Sequence, residues 1–452
     1  MLFMARLLSP KDYGTIGLLS VFLVITHLLI TSGFGLGLIQ KQDRTQVDLS
    51  TVFFFNIIVS FGCYILLFII APYVGDFYNI PELTLILRVL GISQVIEAFN
   101  AVQISILNYT MNFKTQAKIS IFEAVSGGIT GLVLAFCGFG VWALVWQSLT
   151  SKIIGCIMYW THSQWRPTMV FSMKSFKHFF NYGYKLVISG LIEAMYDNIY
   201  PMIVGKFFAP DVLGHSSRAS HWASFPSTNL VIMLHNVSFS SLSKIQDDNK
   251  RLCDIYRRML KTTSFIVFPT MFGLSAIAVP LVYVVIGPKW DLCAQILQII
   301  SFTFMIAPIH SLNRNLLLVK GRSDLSLKLS IIEKILGATL LLSAIPFGVF
   351  ALFYAGLIAS IIMLFLNTYY TGKLINLGLW KQIKDMLPPF VICIVMFVFI
   401  QLALLSFSNI YIKLLLGIIV GATVYVGLSY ISKIKELQEV YYIYKEFRGK
   451  NK

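Results

Sequence analysis

Charged side chains are scarce in this chain. Asp, Glu, Lys and Arg together make up 12% of its 452 residues, about half the share of an ordinary soluble domain. No hydrophilic stretch is long enough to fold as a separate soluble domain. Enzyme signatures are also missing: there is no Walker A loop, no HExxH, no GxSxG and no Asp-x-Asp pair, so nothing points to P-loop ATP hydrolysis, zinc proteolysis, a serine nucleophile or metal-bound sugar-nucleotide chemistry. The chain is therefore expected not to be an enzyme. The six cysteines (Cys63, Cys137, Cys156, Cys253, Cys293 and Cys393) form no CxxC and lie mostly in apolar runs. They read as small core hydrophobes, with neither a disulfide framework nor a zinc site. No metal and no cofactor is expected, and no cleavable signal peptide is visible.

What is abundant is apolar surface. Hydrophobic residues are 57% of the chain and the mean hydropathy is +0.77. Runs of about 20 apolar residues recur throughout, each long enough to cross a hydrocarbon core of roughly 30 Å. Thirteen complete spans can be drawn, from 13–39 to 409–430. The chain is thus expected to be an all-α polytopic membrane protein.

The net charge of +16 would suit nucleic acid, but its distribution argues against that partner. The connecting segments alternate, and one set (40–48, 112–118, 162–185, 244–261, 319–334, 372–385 and 431–452) holds 27 of the 36 Lys and Arg. That is the positive-inside bias, which puts this set and the C-terminus in the cytoplasm. Residues 1–8 are too short to span and read as the tail of a helix whose beginning is missing.

The chain also repeats itself. Arg6-Leu-Leu-Ser-Pro-Lys-Asp-Tyr-Gly14 aligns without a gap with Lys206-Phe-Phe-Ala-Pro-Asp-Val-Leu-Gly214, at an offset of 200. Pro and Gly at these places suit a tight corner, Pro stopping one helix and Gly freeing the backbone to turn. A weaker match joins 86–118 to 296–328 at an offset of 210. Duplication of this kind is common in transporters. It implies lobes of 1–161 and 183–371, joined by a linker at 162–182, with 372–452 adding two further spans and a tail. The basic residues of the linker suit anionic headgroups. Residues 376–387 and 433–446 read as amphipathic helices at the interface.

Several stretches carry a family resemblance: Leu7-Leu-Ser-Pro-x-x-Tyr-Gly-x-Ile-Gly17, Gly33-Phe-Gly, Leu38-Ile-Gln40, Phe77-Tyr-Asn-Ile-Pro-Glu-Leu83, Arg88-Val-Leu90, Ile203-Val-Gly-Lys206, Leu242-Ser-Lys-Ile-Gln-Asp-Asp248, Leu312-Asn-Arg-Asn315 and Lys320-Gly-Arg322. The chain resembles the polysaccharide flippases, the Wzx-like exporters, and within them the lipopolysaccharide and teichuronic-acid branch. These belong to the larger group that includes MATE multidrug antiporters and the lipid II flippase. The resemblance implies two pseudo-symmetric helical lobes around a cavity, plus two C-terminal helices, with the first helix truncated here. It implies a polyprenyl-pyrophosphate-linked oligosaccharide as cargo, moved across the bacterial inner membrane by alternating access. Membrane lipids and other polysaccharide-assembly proteins are the implied partners. The alternatives are a MATE-like ion-coupled antiporter of small molecules and a membrane-embedded glycan polymerase.

Charges within spans are the candidate functional residues, since each costs roughly 2.5–3.5 kcal/mol at mid-membrane unless paired or hydrated. Glu193 and Asp197 lie one turn apart on a helix that Pro201 then interrupts, which suits the coupling of a proton or Na⁺. Glu97 and Glu123 are weaker acidic candidates. Arg314, flanked by Asn313 and Asn315, is the leading cavity cation, with Arg218, Arg88, Lys206 and Arg6 as further cations for the pyrophosphate. Structural ion pairing or snorkelling accounts equally well for several of these. Asn56, Asn100, Gln103, Asn198, His235 and Asn236 are polar residues that suit a sugar path or ordinary interhelical hydrogen bonds.

Overall fold

The computed structural model describes residues 2–31, 34–41, 43–243, 245 and 248–438, and within them all side chains but those of residues 2, 36, 182, 230–241 and 243. The side chains of His235 and Asn236, together with Gly33 and residues 439–446 of the expected tail helix, lie outside what is described. The described residues form helices and no strand. They fall into two compact units, Met1–Gly214 and His215–Lys452.

The first unit holds α1 (Leu2–Leu7), α2 (Pro10–Thr31), α3 (Phe34–Gln40), α4 (Gln46–Tyr78), α5 (Glu82–Tyr109), α6 (Phe113–Phe136), α7 (Val141–His162), α8 (Met173–Asp197), α9 (Ile199–Phe207) and the start of α10 (Pro210–Ser243). α4 packs on α5, α6 on α7, and α5 on α7, while α8 lies against α2, α3 and α4. Thr45 opens α4 with a reciprocal capping box to Asp48, which satisfies two backbone donors that a helix start would otherwise leave unpaired. The segment after α7 is bonded back onto the start of α4. Trp165 Nε1 donates to Gln46 Oε1 at 2.7 Å, Thr168 N donates to Ser50 Oγ at 3.0 Å, and Ser172 N donates to Thr51 Oγ1 at 3.0 Å. Arg166 spends its guanidinium on the carbonyls of Trp160, Ser163 and Trp165. Helix α8 then starts within the expected linker, because Ser172 accepts from Ser175 N as an N-cap.

The second unit continues α10 and adds α11 (Asn249–Ala276), α12 (Ala278–Val285), α13 (Asp291–Val319), α14 (Ser323–Ala344), α15 (Val349–Ile375), α16 (Leu379–Leu405) and α17 (Ile410–Ile431). α11 packs on α13 and α16, α13 on α15, and α16 on α17. Phe272 sits at its core, edge-on to Phe302, Phe390 and Phe397. α11 and α12 are bent by 68°. The amphipathic stretch at 376–387 is not a separate interfacial helix. Residues 376–378 form the corner after α15, and from Leu379 the stretch is the first turns of α16.

Ten helices among the described residues are long and apolar enough to cross a membrane, or eleven with the bent pair α11–α12 counted as one. The expected spans 183–205 and 219–242 are helical, in α8, α9 and α10. They fall below that apolar level because polar and charged side chains, Glu193, Asp197, Asn198 and His221 among them, dilute their hydropathy.

Both sequence repeats have structural counterparts. Pro10 and Pro210 are the first residues of α2 and α10, where the missing N–H costs nothing. Gly14 and Gly214 are not turn residues, as the sequence suggested, but helical ones. A Cβ on Gly14 would run into the Pro210 carbonyl oxygen, and a Cβ on Gly214 into the Pro10 carbonyl oxygen. The two corners thus touch reciprocally, as a two-fold relation between them requires. At the offset of 210, the α5–α6 corner bonds Met111 N to Asn108 O and Asn112 N to Leu107 O. The α13–α14 corner bonds Gly321 N to Leu318 O and Arg322 N to Leu317 O. Met111 and Gly321 both take positive φ, 53° and 68°.

Candidate functional site

In the first unit a single carboxylate joins three helices. Glu97 on α5 accepts from Lys152 Nζ on α7 at 2.9 Å through Oε1, and its Oε2 lies 3.3 Å from His27 Nδ1 on α2. The Glu97 side chain is 16% exposed. A mid-span charge is tolerable here because its partners replace lost hydration. One helix over, the Glu123 carboxylate lies against Gly155 of α7, and Ser151 Oγ donates to the Glu123 carbonyl at 3.0 Å. Along α4 and α5 several buried amide atoms have no hydrogen-bond partner among the described residues: both of Asn56, both of Gln103, Asn100 Oδ1 and Gln94 Oε1. Each such atom costs about 1–3 kcal/mol in a dry interior.

The sequence marked Glu97, Asn56, Asn100 and Gln103 but missed His27 and Lys152 as partners. Lys152 was visible as a lone cation in an apolar run. Its partner was not, since the two are 55 positions apart and no helical periodicity links them.

In the second unit Arg314 on α13 donates to Glu333 Oε2 on α14 at 2.9 Å, each side chain about one-third exposed. Its neighbours are structural stitches. Asn313 Oδ1 accepts from Thr371 Oγ1 at 2.7 Å and from Gln382 Nε2 at 3.2 Å. His310 bridges Asn367 Nδ2 at 3.0 Å and Ser360 Oγ at 3.1 Å. These bonds tie α13 to α15 and α16. Arg218 on α10 is buried.

Three further sequence-marked cations belong to the first unit. Lys206 donates to the Phe77 carbonyl at 2.7 Å and covers the Phe77 ring at 4.0 Å. Arg88 stacks over Phe68 at 4.0 Å. Arg6 is exposed in the last turn of α1. Glu193 and Asp197 are both exposed near the end of α8, where Asn198 separates α8 from α9. Among the described residues no group of three His, Cys, Asp or Glu could hold a metal ion.

The second unit also contains an apolar groove of about 590 Å³, bounded by α10, α11, α12, α16 and α17. Phe225, Leu281, Met396, Ile400, Ile418 and Val426 line it, with His221, Thr270 and Tyr425 as the polar exceptions. Gly417 and Gly421 let α17 approach Ile277 and Ile400 closely. Tyr425 is held by its hydroxyl, which donates to the Phe265 carbonyl at 2.7 Å.

A profile described as "Polysaccharide biosynthesis protein" matches residues 3–295. The chain belongs to that family. It is 25% identical over 372 residues to the teichuronic acid biosynthesis protein TuaB of Bacillus subtilis, a match covering 82% of this chain and 77% of that protein. It is 23% identical over 342 residues to the lipopolysaccharide biosynthesis protein WzxC of Escherichia coli, covering 74% of this chain and 68% of the other. In fold it is similar to the lipid II flippase MurJ in an inward closed conformation, with a TM-score of 0.76 at 17% identity over 95% of each chain. The polytopic all-α architecture read from the sequence is thus a shared one, and the family places the chain among polysaccharide biosynthesis proteins.

Proposed function

We propose that the chain is a flippase carrying a polyprenyl-pyrophosphate-linked oligosaccharide across the bacterial inner membrane by alternating access, for cell-surface polysaccharide synthesis. The observation that carries this reading is the apolar groove bounded by α16 and α17. Those helices lie outside the sequence duplication. A groove of that size suits part of an isoprenoid tail, which a small-molecule antiporter does not have to accommodate. Relatives named for teichuronic acid and lipopolysaccharide biosynthesis support the same class of cargo.

In this reading residues 1–161 and 183–371 rock as lobes about 162–182, and 372–452 adds the tail-binding helices and a cytoplasmic C-terminus. Arg314 receives a phosphate by exchanging its Glu333 carboxylate for the ligand, since a guanidinium fork serves either oxyanion. Arg218, Arg88, Lys206 and Arg6 supply further positive potential. The polar face of α4 and α5 suits sugar hydroxyls, and Glu193 and Asp197 couple an ion. A ligand drives the lobes only as far as it binds one state better than the other.

The test is flipping of a fluorescent polyprenyl-pyrophosphate oligosaccharide in proteoliposomes. Wild type should flip it. Arg314→Ala should slow flipping by about tenfold or more, the loss of one charge-assisted phosphate contact. Glu193→Gln should lose the dependence on an ion gradient while still flipping down the substrate gradient. Wild-type protein that exports cationic dyes and flips no lipid would favour the antiporter.

A further inference from the structure

Three segments of the second unit meet at one cavity: the middle of α11, the first turns of α16 and the residues just after α17. A cavity of about 300 Å³ opens between them. Asp385 forms part of its wall and is buried, with Arg257 Nε and Nη2 donating to its two oxygens at 2.6 and 2.7 Å. That bidentate pair consumes the carboxylate's charge. Lys261 lies 3.4 Å from Asp385 Oδ1, and its ammonium keeps donors to spare. Lys384 and Lys435 also line the cavity, and no ion pair engages either among the described residues. The one further acid in the lining is Glu436.

Three ammonium groups therefore face one uncommitted carboxylate, and the cavity favours an anion. Phe265, Pro388 and Pro389 give it an apolar floor, and the Ser432 hydroxyl offers one more donor. The ends of α16 and α17 put it at headgroup depth in any bilayer these two helices cross. Basic pockets between spans at that depth suit lipid phosphates. We propose that this cavity holds an anionic phospholipid of the surrounding bilayer. Lys261, Lys384 and Lys435 grip its phosphate, and its glycerol and upper acyl carbons lie on Phe265 and the proline pair. This lipid is a resident that ties α11, α16 and α17 together, distinct from the transported one.

The experiment follows heat-induced unfolding of the purified full chain in a nonionic detergent during titration with dioleoylphosphatidylglycerol. Parallel titrations use dioleoylphosphatidylcholine, inorganic phosphate and pyrophosphate. Phosphatidylglycerol should raise the unfolding midpoint where phosphatidylcholine does not. Lys261→Gln/Lys384→Gln/Lys435→Gln should raise the half-saturating lipid concentration by roughly tenfold to a hundredfold, while the corresponding triple Arg variant retains the response. Lys435→Gln alone, at an exposed position with no packing role, should weaken it by about fivefold, so the proposal stays testable if the triple variant does not fold. A triple Gln variant that responds like wild type would overturn the site. Inorganic phosphate or pyrophosphate protecting as well as the lipid would overturn the phospholipid assignment.

Discussion

Gly14→Ala is expected to prevent normal accumulation of the protein, and Gly214→Ala to do the same. A Cβ at either position overlaps a backbone carbonyl of the opposite corner, Pro210 for Gly14 and Pro10 for Gly214. A flexible side chain could swing aside, whereas a backbone carbonyl at the first turn of a helix moves only with its helix. Overpacking at such a contact costs about 1–3 kcal/mol when the structure can relax and more when it cannot. The reciprocity sharpens the test. Once one methyl has forced the corners apart the second adds little, so Gly14→Ala/Gly214→Ala should be less harmful than the sum of the two. Gly62→Ala is the control: nothing lies within reach of its Cβ, and removing a glycine from a helix interior should stabilise by about 0.5–1 kcal/mol. Yield of monodisperse protein and its heat-inactivation midpoint are the readouts. Gly14→Ala protein as stable as the Gly62→Ala control would show that the corners do not touch in this way.

Glu97→Gln is expected to destabilise the first unit more than Glu97→Gln/Lys152→Gln does. Removing one member of a buried ion pair leaves the other uncompensated and costs about 3–5 kcal/mol. Removing both is far milder. Lys152 is about one-third exposed, which lowers the single-variant figure to about 2–4 kcal/mol. His27 is more exposed still and compensates little, so His27→Gln should have a smaller effect than Lys152→Gln. Thermal inactivation in detergent reads the order. Equal loss in the single and double variants would sink the account, because packing alone would then explain Glu97.

The residues legible in the sequence were those whose meaning is local. Pro10 and Pro210 marked helix starts through backbone geometry alone. The offset of 210 found the α5–α6 and α13–α14 corners because a helix end bonds within a few residues of itself. Gly14 was legible as important and misread in role, since close approach and turn formation both call for glycine and differ only in what lies opposite. Arg166 likewise had the composition of a lipid-facing cation, and its use on three carbonyls depends on how the chain folds back after α7.

Composition and periodicity determined that this chain crosses a membrane as helices, that its Lys and Arg crowd alternate connections, and that its two halves repeat. These follow from segment-by-segment hydropathy and turn chemistry, which hardly depend on neighbours. Tertiary structure alone decided which charges meet. Glu97 finds Lys152 across 55 positions, and Arg257 finds Asp385 across 128. The reason is physical: a span's apolar length says that it will be a helix, and says nothing about which helix will lie beside it.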